Sequence, residues 1–171
     1  MKRFVDAVRS AISDKNYYAA LALALTLPDI ASKLENPAVQ GSTRYKDWCR
    51  KYLEPKYYDP DFGPTRDEWW WLSAADTYAL RCALLHEGGD DISQQRARET
   101  LDRIIFVLPT EDVGRHRVRT GTRVMLKVDV FCEDVCVGVE QWLADIAGDP
   151  AIEARMNELI LIRDSREIIS F

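Results

Sequence analysis

No apolar run in the chain is long enough to cross a bilayer. The strongest, "YYAALALALTL" from Tyr17 to Leu27, falls far short of the roughly 20 residues a spanning helix needs. Asp6, Arg9, Asp14 and Lys15 break up the N-terminal stretch, so it has no unbroken apolar core of a secretory signal, and a cytoplasmic location without membrane contact is expected. Cysteine is sparse. Cys49, Cys82, Cys132 and Cys136 form no CxxC pair, which argues against a disulfide framework or a zinc site and for buried free thiols. A glycine-rich phosphate loop, a GxSxG elbow and an HExxH pair are all lacking, so hydrolase and nucleotide-fold readings have nothing to rest on, and neither a metal nor another cofactor is expected. There is no basic excess either. A net charge of −5 and a pI near 5.1 give no global attraction for nucleic acid or an anionic membrane, so any polyanion site must be local.

What is present suits one globular domain over residues 1–171, with 47% hydrophobic and 30% charged residues. Phe4, Val5, Val8 and Ile12 give a short amphipathic helix. After a break at Ser13 to Asn16, "NYYAALALALTLPDIASKLEN" is apolar nearly all round, which predicts a helix at the centre of a bundle, with Pro28 either kinking it or opening a second segment. Tyr45, Trp48, Cys49 and Tyr52 share one face of a third helix, capped by Ser42 or Thr43. A proline-rich loop, "EPKYYDPDFGPTRDE", follows. Ser73 and Asp76 mark a helix start and Gly88-Gly89 a left-handed stop, so a helix runs from about Ala74 to about Glu87. "ISQQRARETLDR" is a weaker helical stretch. "IIFVLP" and "TRVMLKV" read as two strands joined in a β-hairpin. A long helix, "VDVFCEDVCVGVEQWLADIA", and a short one after Pro150 complete a mainly α chain, a helical bundle with a small β-hairpin inserted before its penultimate helix.

The stretch "YALRCALLHEGGDD" reads as an apolar helix that keeps Arg81 and one of only two histidines, His86. On a regular helix five residues subtend roughly 140°, too wide for a shared face unless the last turn unwinds at Gly88. A helix C-terminus favours a protonated imidazole, and a guanidinium offers a forked donor set for phosphate. An Arg followed at this interval by His near the end of a bundle helix resembles the R-x4-H motif of the HEPN superfamily, and the chain is similar to bacterial HEPN-like proteins of its size. That resemblance implies an all-helical core that forms a homodimer, with two motifs meeting in a cleft. In active members it implies metal-independent RNA cleavage, with His86 activating the ribose 2′-hydroxyl and Arg81 steadying the phosphate. Cys82 stands where active members commonly carry a polar residue. The alternative is a non-catalytic dimerisation or partner-binding module of a bacterial defence or toxin-antitoxin system. A purely structural role also stays open, in which Arg81 pairs with Asp76, Asp90 or Glu87 and His86 bonds carbonyls at its helix end.

A second signal is "GRHRVRTGTRVMLK", which carries Arg115, His116, Arg117, Arg119, Arg123 and Lys127 without an acid. It reads either as a phosphate-contacting ridge for RNA or as a charged edge that discourages sheet aggregation. The aromatics of "YYDPDF" and "DEWWWL" suit a core cap or dimer interface, or a surface on which bases stack.

Overall fold

The computed structural model describes residues 1–61, 70–109 and 116–162. Six α-helices occur among them: α1 (Lys2–Ser13), α2 (Tyr17–Glu35), α3 (Gly41–Tyr52), α4 (Ala74–Cys82), α5 (Val128–Asp145) and α6 (Pro150–Asn157). The chain is a mainly helical bundle with a small sheet. α2 lies at its centre, packed on α1, α3, α5 and α6, because Leu21, Leu25, Leu27 and Leu34 are buried on a face that spans about half of its circumference. Pro28 does not divide it. The ring leaves the Ala24 carbonyl without its usual N–H partner, and one residue on the buried Tyr45 hydroxyl donates to the Leu25 carbonyl at 3.2 Å.

α3 begins at Gly41, with no side-chain cap from its N-cap residue Gln40, so Ser42 and Thr43 sit inside its first turn rather than capping it. Where α3 crosses α5, a Cβ on Gly138 would lie 3.1 Å from both the Trp48 ring and the Tyr52 carbonyl; only glycine admits that approach. Cys49, Cys132 and Cys136 are buried free thiols and Cys82 is half-buried. Burial pushes Cys49 and Cys132 well up and Cys136 up to about 12, which keeps all three protonated and unreactive near neutral pH.

The sheet differs from the expected pairing. β1 (Arg103–Val107) and β3 (Arg123–Lys127) run parallel, with Ile104 beside Val124 and Phe106 beside Leu126. The hairpin is made instead by β2 (Val118–Thr120) and β3, around Gly121 at φ +58°, giving the order β1-β3-β2. Two parallel strands cannot be joined by a tight turn, and the polar three-residue β2 is too short to show an alternating pattern.

"ISQQRARETLDR" is not helical either. The fully buried Asp76 carboxylate accepts from the backbone N–H groups of Glu99 (2.8 Å), Thr100 (3.2 Å) and Leu101 (3.4 Å) and from the Thr100 hydroxyl. A buried carboxylate needs such donors, and taking them from 99–101 holds that segment out of a helical ladder. Ser73 caps α4 as expected, accepting from the Asp76 N–H at 3.0 Å.

Candidate functional site

At the other end of α4 the helix widens. Residues Ala83–Glu87 form a π-turn, and the N–H of Gly88, held at φ +71°, reaches the carbonyls of Ala83 and Leu84. A π-turn carries its hydrogen bonds over five residues instead of four, which turns residue 86 back beneath residue 81. Arg81 Nη1 and His86 Nε2 are consequently 3.0 Å apart. Unwinding at the glycines was the expected route to a shared face; the observed route is a widened turn just before them.

A guanidinium only donates, so His86 Nε2 is the acceptor and the ring proton of this neutral imidazole is on Nδ1. Arg81 is anchored on its far side, where Nε donates to Asp29 Oδ2 on α2 at 2.9 Å, both side chains being 23% exposed. Burial opposes its charge, but Asp29 and Cys82 outweigh that and hold the guanidinium above its ordinary value. His86 is exposed.

None of Asp76, Asp90 and Glu87 takes the Arg81 side chain. Asp76 serves the 99–101 segment, Asp90 lies 3.4 Å from Arg103, and Glu87 accepts from Gln95. Asp29 was legible in one respect: it is the sole charged residue between Tyr17 and Ser32. Beneath the pair, Tyr78 packs edge-on to Tyr45 at 5.3 Å. Burial first, then Cys82, raise the Tyr78 hydroxyl above its usual range. Four cavities of 280 to 680 Å³ among the described residues are lined by neither Arg81 nor His86.

The basic segment is built differently. Arg117, at φ +58°, donates to the Lys56 carbonyl at 2.9 Å and lies 5.8 and 5.9 Å from the centres of the Tyr57 and Trp71 rings. Arg119 donates to the carbonyls of Gly121 (2.9 Å) and Trp70. These bonds close the hairpin over the aromatic loop. His116 faces inward, its Nδ1 accepting from the Lys127 N–H at 3.1 Å. Arg115 lies outside the described residues. So do Phe62 to Trp69; of the remaining aromatics, Tyr57 and Trp71 are buried, and Tyr58 stacks on Trp70 at 4.3 Å. The core reading holds for Tyr57 and Trp71.

No helix is long and apolar enough to cross a membrane, and no group of three His, Cys, Asp or Glu is placed to hold a metal ion, among the described residues. No protein-family model, curated protein or solved structure matches this chain.

Proposed function

We propose that the chain is a HEPN-like protein that works as a homodimer and cuts RNA without a metal. The observation that carries this reading is the 3.0 Å contact between Arg81 and His86, which a regular helix would not make and which sets a base beside a phosphate-binding fork. In this scheme the substrate phosphate draws the free edge of Arg81 and the ribose 2′-hydroxyl displaces Arg81 from His86 Nε2. The imidazole takes the hydroxyl proton, the 2′-oxygen attacks phosphorus and the 5′-oxygen leaves with a proton from water, giving a 2′,3′-cyclic phosphate and a 5′-hydroxyl. Arg81 stabilises the extra charge on the phosphorane. Asp29 fixes the guanidinium plane, and the basic segment that carries Arg115, Arg117 and Arg119 guides the backbone of the RNA. An isologous dimer that brings two motif helices together should bury on the order of 1,200 Å² or more.

The test is cleavage of an unstructured RNA in excess EDTA by wild type, His86→Ala and Arg81→Lys, with melting temperatures on the same samples. Wild type should cut, and His86→Ala should lose roughly 10²- to 10⁴-fold while melting like wild type. Arg81→Lys should lose most activity because an ammonium keeps the charge but not the fork. Wild type inert toward RNA ends the catalytic reading.

One observation favours the second reading, a non-catalytic dimerisation or partner-binding module of a bacterial defence or toxin-antitoxin system. Asp29 already offsets the Arg81 charge, and Cys82 follows it in place of a polar residue. Under that reading the dimer persists in sedimentation equilibrium and no variant changes RNA turnover.

A further inference from the structure

The two edges of the sheet are built differently. β2, at one edge, is three residues long and carries Arg119, with Arg117 just before it, the short charged form that keeps a strand from pairing with another chain. β1, at the other edge, is covered only over its first half. There the segment 90–92 runs antiparallel to it, with the Ile104 N–H on the Asp90 carbonyl at 3.2 Å and the Ile92 N–H on the Asp102 carbonyl at 2.8 Å.

Past Ile104 the edge is open. The Arg103 N–H points toward β3, where it meets the Thr122 carbonyl at 3.4 Å. Successive residues alternate, so the N–H and C=O of Phe106, and of Leu108 one residue beyond the strand, point away from β3. They meet no hydrogen-bond partner there among the described residues. Residues 105–108 carry no charge, and Leu108 is 62% exposed. Pro109 blocks nothing, because the same alternation turns its nitrogen toward the β3 side. Beside this edge lies a cavity of about 360 Å³ whose lining includes Tyr17, Leu21, Phe106, Leu108 and Val128. An uncharged, unpaired edge next to an apolar hollow is a template for another strand.

We propose that a second copy of this chain covers that edge, its β1 running antiparallel to the first about a two-fold axis at Val107. The register follows from which groups are open. An axis at Phe106 would set Leu108 opposite Ile104, whose N–H Asp90 already holds. An axis at Val107 sets Phe106 of each copy opposite Leu108 of the other and uses every outward N–H and C=O of both residues. Ile104 and Phe106 face the core, Phe106 lying edge-on to Phe131 at 5.3 Å. Leu108 of one copy therefore shares a sheet face with Phe106 of the other and is the side chain placed to enter its cavity.

This contact rests on the homodimer of the reading above and not on RNA cleavage. Only Glu87, Gly88 and Gly89 separate His86 from the segment that covers the first half of the edge, so each motif stays within about 15 Å of Asp90.

The test is sedimentation equilibrium of wild type and Leu108→Pro, joined to cysteine cross-linking. Leu108→Pro removes an N–H that has no partner in the single chain, so it should melt like wild type at concentrations where both are monomers. It should weaken the dimer about tenfold or more, because two interchain hydrogen bonds are lost. In a Cys82→Ala background, Val107→Cys should form an interchain disulfide under mild oxidation, since residues facing each other in a non-hydrogen-bonded pair sit about 4.5 Å apart at Cα. Ile105→Cys should not, being offset from its own copy across the axis. Wild type that stays monomeric at high micromolar concentration overturns this interface and the homodimer together. A dimer that Leu108→Pro leaves unchanged, or in which both cysteine variants cross-link alike, overturns this interface alone and gives the homodimer another surface.

Discussion

The two ends of α4 use the same polar chemistry to opposite ends. At its start, Asp76 is fully buried and every strong acceptor site is filled by Ser73, Glu99, Thr100 and Leu101. That saturation pins the 99–101 loop to the helix start. At its finish, Arg81 is held on one side by Asp29 and meets an exposed His86 on the other. A saturated network contributes to stability, whereas a half-saturated one at the surface keeps donors and acceptors for something else.

Substitutions along α4 should therefore separate stability from activity. Asp76→Ala should have the largest effect on folding, about 3–5 kcal/mol, because it takes the shared acceptor from three backbone N–H groups at once; urea unfolding with an unchanged slope would measure it. Asp29→Asn should cost less, about 1–2 kcal/mol, since the Arg81 charge it leaves unbalanced is only part-buried. His86→Ala should change stability by less than about 0.5 kcal/mol while showing the largest loss of RNA cleavage. If His86→Ala destabilised the chain as much as Asp76→Ala, the contrast between the two ends would collapse, and the Arg81 contact would be structural.

A smaller effect should come from the hairpin. Burial first, and then the Arg117 charge, push the His116 imidazole below its ordinary value of 6.5, and protonating Nδ1 would break its bond to the Lys127 N–H. The folded chain then binds fewer protons than the unfolded chain just below that value, so this contribution is complete above pH 6.5 and is lost as pH falls beneath it. The melting temperature of wild type should fall relative to that of His116→Gln as pH is lowered through that window, since the amide oxygen can still accept from the Lys127 N–H and has no proton to gain. Parallel curves would remove His116 from the account.

The helices were legible because each is a local statement. α2 is apolar nearly all round its first half, which predicts its central place; Ser73 and Gly88 mark the limits of their helix by side-chain capping and by a left-handed φ, respectively. Arg81 and His86 were likewise visible as a pair, but their contact depended on a turn whose width no spacing rule specifies.

By itself, then, the sequence determined the bundle, its central helix, the buried thiols and the residues of the motif, since periodicity, capping and burial are properties of neighbours in the chain. Tertiary structure alone decided that β1 joins β3 in parallel, that Asp76 takes the 99–101 backbone, and that Asp29 reaches Arg81 across 52 residues. Those outcomes depend on which partner a strand edge or a buried charge meets in space, and many partners satisfy the same local pattern.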